Sequence, residues 1–177
     1  MRMTPEDVLN ECGITSRPIP LDPIVQHFGI TQVELSANGD IFGAIVRENG
    51  KFFIAVNPDQ HPNRQRFTIA HELAHYILHY KDSNERIQHV DTDFRVSWRN
   101  RVSSEGVDWS EIEANRFAAE LLMPEYMLKK DVERLPVLDD DAMQRLASLY
   151  KVSRLAMRIR LINLGLIPPD LDPSAES

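Results

Sequence analysis

The sequence predicts an α+β fold: a small antiparallel sheet packed on a buried helix, followed by a helical C-terminal part with a helix-turn-helix-like pair. Three observations point there. Residues 41–57 hold two apolar runs around an Asn-Gly turn. Residues 67–80 are apolar around most of a helical wheel. Residues 111–165 carry four further helical patterns broken by Pro124, Pro136 and a short turn.

In chain order, Thr4 caps a first helix with Pro5 in its first turn, running to about Cys12 and stopped by Gly13. After Pro18 and Pro20, Asp22-Pro23 opens a second short helix through Phe28, ended by Gly29. Residues 30–35 change period, and Ile41–Val46 and Phe52–Val56 read as strands. Glu48-Asn49-Gly50-Lys51 between them is a strong hairpin signal, because Asn-Gly accepts the positive φ angles of the tight turn. Asn57-Pro58 closes the sheet, and residues 61–66 lead into the central helix.

On that helix, at about 100° per residue, Phe67, Ile69, Ala70, Leu73, Ala74, Tyr76, Ile77, Leu78 and Tyr80 cover most of the circumference. The remaining slit contains Thr68, His71, Glu72, His75 and His79. Such a helix is buried, and a buried polar strip needs a partner. His71 and His75, one turn apart, form His-Glu-x-x-His with Glu72. Two imidazoles so placed suit zinc, and Glu72 can serve as base toward a water on the ion. Core histidines hydrogen-bonded to carbonyls are the alternative.

Residues 81–109 read as polar and irregular. Phe94, Val96 and Trp98 alternate with arginines and a serine, as in an extended segment beside the site or a surface loop with one apolar face. Ser110 then caps a helix over 111–123. A catalytic zinc site usually takes three protein ligands. Ala114, Phe117, Ala118, Leu121 and Leu122 form one apolar stripe; Glu111 lies at its edge and Glu113 nearly opposite. This assigns Glu111 to the metal and Glu113 to solvent. Asn115, one turn on, is placed to orient a histidine ligand.

Pro124-Glu125 starts a helix to about Arg134, and Asp139–Asp141 caps the next. Residues 142–150 and 153–165 form a helical pair around Lys151-Val152-Ser153, with five basic residues and no acidic one from 142 to 169. That outline resembles a helix-turn-helix. The alternative is a hairpin packed on the core with its arginines facing water, and a formal net charge of −7 weighs against direct nucleic-acid binding.

One cysteine, Cys12, permits no disulfide within the chain, and no apolar run approaches the ~20 residues of a membrane span. The opening residues lack the apolar segment of a signal peptide. A cytoplasmic protein is expected.

Two blocks, Asn63–His75 and Glu111–Pro124, resemble the ImmA/IrrE family of zinc metallo-endopeptidases in order and spacing; the Leu-Ala-x-x-Tyr-x-Val-Ser pattern ending at Asn163-Leu164-Gly165 is also similar. The resemblance covers roughly residues 15–165. The chain is expected to divide into a zincin-like domain over 1–135, a helical hairpin over 136–167 packed on or appended to it, and a loose tail over 168–177. The resemblance implies a zincin-like fold for the first of these. It implies one Zn2+ ion, with Mn2+ as the alternative, held by His71, His75 and Glu111, and Glu72 as the catalytic residue. It further implies a partner: an Xre-family helix-turn-helix repressor, cut or merely held, in a regulatory or toxin–antitoxin setting. An extended substrate is expected along the edge of the 41–57 hairpin.

Overall fold

The computed structural model describes residues 2–35, 41–83, 87–91 and 109–169. The Phe94–Trp98 alternation, and residues 170–177 of the expected tail, lie outside the described residues. The fold is α+β: seven α-helices and a four-stranded sheet among the described residues.

Helix α1 (Pro5–Glu11) begins as its sequence dictates. Thr4 accepts from the Asp7 amide while the Asp7 carboxylate accepts from the Thr4 amide, so two orphan donors are satisfied reciprocally. Gly13 follows at φ +64°. Helix α2 (Leu21–His27) starts one residue ahead of the expected Asp22 and ends before Gly29, at φ +66°. Strands β1 (Thr31–Glu34), β2 (Gly43–Glu48) and β3 (Lys51–Val56) follow, with Asn49 and Gly50 both at positive φ in the β2–β3 turn.

The sheet is mixed, which corrects the expected antiparallel one. Its order is β1-β3-β2-β4: β2 pairs antiparallel with β3, but β1 lies parallel on the far side of β3. The fourth strand, β4 (Gln88–Asp91), falls in the stretch expected to be irregular and pairs antiparallel with β2. Both edges of the hairpin are therefore covered, β3 by β1 and β2 by β4. A substrate strand has no place along the hairpin itself, which corrects that expectation.

Helix α3 (Pro62–His75) starts at His61, whose Nδ1 accepts from the Asn63 amide, and carries Pro62 in its first turn. It packs most extensively on α4 (Trp109–Leu122) and also lies on β2 and β3. Ile45 and Ile54, directly opposed across β2 and β3, are fully buried in the same core as Leu73, Ala70 and Leu121. Beyond His75 the helix changes pitch into a π-helical turn, Tyr76–Tyr80, so the uniform 100° wheel does not hold there. Helix α4 already includes Ser110 as its second residue, where a cap was expected.

Helix α5 (Glu125–Val132) follows Pro124, and α6 (Asp140–Tyr150) is capped by Asp139, which accepts from the Ala142 amide. Lys151 turns the chain in the left-handed region and Ser153 caps α7 (Arg154–Asn163). Met143, Leu146, Tyr150, Met157 and Leu161 of this pair belong to the common core. Not all its arginines face water: Arg160 is buried, donates from Nε to the Met123 carbonyl at 3.1 Å and stands 3.6 Å from Glu120. Among the described residues no helix is long and apolar enough to cross a membrane.

Candidate metal centre

Every residue of α3 from Phe67 to His75 is buried. Neighbouring backbone pins the start of the helix. Asn63 donates to the Val152 carbonyl at 2.9 Å, Gln65 to the Pro58 and Gln60 carbonyls, and Arg66 to the Ile19 carbonyl. The i,i+4 spacing then sets the His71 and His75 rings side by side, their Nε2 atoms 3.1 Å apart.

From the facing helix, Glu111 closes on both. Its Oε2 lies 3.2 Å from His71 Nε2, and its Oε1 3.0 Å from His75 Nε2. Glu113, two residues on, is 41% exposed and paired with Arg2, so α4 offers the histidines one carboxylate and turns the other outward. Asn115 is buried, and its Oδ1 has no hydrogen-bond partner among the described residues. Glu72 is fully buried beside β2. There Gly43 matters: a methyl group at that position would stand 2.2 Å from Thr68 Cγ2 and 3.4 Å from Glu72 Oε1. Strand β2 can lie this close to α3 only because residue 43 lacks a side chain, and the side chain it would meet is that of Thr68.

A fourth group joins them that the sequence reading missed. His89, on β4, places Nε2 3.0 Å from Glu111 Oε1 and its ring 4.2 Å from that of His75. One ligand atom from each of His71, His75, His89 and Glu111 lies within 4.8 Å of the others. The available signal was the second of two histidines between the motif blocks, hidden because Ile87 and Val90 do not alternate as strand residues should. His79, expected in the polar strip, is carried off by the π-helical turn and stands 3.9 Å from Glu113.

The donor chemistry fits a divalent ion. Ligands about 2.0–2.1 Å from a tetrahedral zinc are roughly 3.3 Å from each other, close to the separations seen here. Burial pushes the His75 imidazole down from 6.5 to about 4, against the pull of Glu111 and with help from His71 and His89. Burial alone would raise the Glu111 carboxyl, but its contacts with His71, His75 and His89 outweigh it and hold the group well below the usual carboxylate range. Neutral imidazole and ionised carboxylate are the forms that ligate metals.

An α+β core with two such histidines and a distal glutamate across facing helices is the layout of a metallopeptidase. The profile of the peptidase M78 family, described as the IrrE N-terminal-like domain, matches residues 26–161. The chain belongs to that family. It is 28% identical over 128 residues to uncharacterized immunity region protein 2 of Bacillus phage phi105, spanning 72% of each chain. It also shares its fold with a Mycobacterium tuberculosis transcriptional regulator, at TM-score 0.57 and 19% identity. That match covers 89% of this chain and 45% of the regulator, so the chain spans under half of that protein's length.

Proposed function

We propose that this protein is a zinc-dependent endopeptidase whose substrate is a helix-turn-helix repressor of the Xre type. The observation that carries the reading is the convergence of His71, His75 and Glu111 on one point, with the Glu72 carboxylate on the adjoining turn of the same helix. His71, His75 and Glu111 would hold the ion, with Mn2+ as the alternative to Zn2+. Bound there, a divalent ion supplies Lewis-acid chemistry, acidifying a water and polarising a carbonyl oxygen. Glu72 takes the proton from the water whose oxygen adds to the peptide carbonyl carbon, then delivers it to the amine nitrogen as the C–N bond breaks. We assign to Asn115, buried one turn after Glu111, the role of orienting a ligand.

The substrate assignment rests on the family resemblance and on the likeness to a phage immunity-region protein. The β4 strand, outermost among the described strands and carrying a residue that touches Glu111, is where an extended peptide would pair. The deciding experiment incubates the protein with a neighbouring repressor and zinc, with Glu72→Gln alongside, and reads fragments by intact mass. A single cut made by wild type alone is expected. A stable complex formed by both proteins without a cut would replace the endopeptidase with a module that grips its repressor.

A further inference from the structure

The four-donor cluster holds one ligand more than a catalytic centre usually takes from protein. Catalytic zinc sites keep three protein ligands and an open position, whereas four protein ligands close the shell. His89 is as near to Glu111 as His75 is, at 3.0 Å in both cases. It differs in its support. His71 and His75 are at most 1% exposed on a helix packed on two sides, whereas His89 is 23% exposed on a four-residue strand at the end of the sheet.

Resting on the metal-centre reading above, we propose that His89 is a fourth protein ligand, so that the resting centre is closed by three imidazoles and one carboxylate. The register explains why β4 can present it. His89 lies opposite the fully buried Ile45 of β2, which fixes its position along the strand. A ring held merely near the site would stand farther from the carboxylate than the helical ligands do, and this one does not. With an ion so held, the β4 histidine would have to withdraw before water or peptide could enter.

The test uses zinc itself on the full chain. X-ray absorption at the zinc edge counts imidazole ligands, and competition with a chromophoric chelator gives affinity. Three imidazoles are expected for wild type and two for His89→Ala. Affinity should fall by at least about tenfold, since even groups outside the shell are worth that much. His89→Gln, with a longer side chain for the strand, repeats the measurement if the alanine variant is poorly folded, and His79→Ala should match wild type. Two imidazoles in wild type, with affinity unchanged in both His89 variants, would overturn the proposal while leaving the three-residue centre standing. Wild type that binds no zinc would overturn that centre and this proposal together.

Discussion

Arg2 grips Glu113 with both terminal guanidinium nitrogens, at 2.6 and 2.7 Å, two residues from the carboxylate that faces three histidines. The hydrogen bonds from Arg2 hold the Glu113 carboxyl below its ordinary range. Two glutamates of one helix turn thus have separate partners. Glu111→Gln should weaken zinc binding by at least about tenfold, through loss of the anionic ligand. Glu113→Gln should leave the zinc titration unchanged and shift the melting temperature little, because the pair is solvent-exposed. Equal loss in both variants would remove the distinction.

The close approach of β2 to α3 predicts a rescue. Gly43→Ala places a methyl 2.2 Å from Thr68 Cγ2, with the Ala55 carbonyl at 3.2 Å on another side. Overpacking of this kind costs about 1–3 kcal/mol. Thr68→Ser removes the clashing carbon, so the double variant should recover most of the stability lost by Gly43→Ala in denaturant melts. A purely additive pair would show that the strain lies elsewhere.

Burial of His75 ties the stability of the metal-free protein to pH. An unfolded chain takes up a proton on this ring below about pH 6.5, while the folded protein resists until about pH 4. Across that window the unfolded state binds more protons, so stability falls as pH falls, by at most about 1.4 kcal/mol per unit. Above pH 6.5 the contribution is flat. Glu111 adds a further loss below 4.5, where the unfolded chain protonates and the folded carboxyl does not. Urea midpoints in chelator between pH 4.5 and 7.5 should show the first slope, and His75→Gln should flatten it.

A second buried knot joins the N-terminal segment to the last helices. Asp131, 7% exposed, accepts from the Tyr150 hydroxyl at 2.7 Å and pairs with Arg17. Burial and Asp131 raise the Tyr150 hydroxyl far above its usual range, so it remains a donor. Tyr150→Phe should cost about 1–2 kcal/mol. Arg17→Met should cost more, up to about 3 kcal/mol, because it leaves a buried carboxylate with only Arg134, 4.0 Å away, as its cation, although partial exposure of Arg17 moderates the loss. The order of the two melting temperatures checks this.

Local chemistry was readable where it acts on its own neighbours. Thr4 with Asp7, Asn49-Gly50, Asp139 and Ser153 each specify a cap or turn within four residues, and each is found. The wheel of α4 separated Glu111 from Glu113 because one face of that helix is apolar and continuous. What escaped depends on distant partners. Strand β1 is exposed at all four residues, so no alternation betrayed its parallel place beside β3. Strand β4 is four residues long with Val90 its one apolar residue, and His89 was lost with it. Arg160 looks like surface until its acceptor, the Met123 carbonyl 37 residues away, is known.

The π-helical turn also bears on how this chain is aligned with others. A turn that closes over five residues holds one more residue than the α-helix it replaces. A relative with an ordinary helix there would reach its next strand one residue sooner after the second motif histidine. Gap-free alignment of the two would put each later position one residue out of step, about 100° wherever it lies on a helix. Ile77, 3% exposed in this core, would then be matched to a residue one position out of step with it, and so would the strand histidine. A single-residue gap placed within 76–80 restores the correspondence, so that short turn is where the numbering of ancestors and descendants should be allowed to slip.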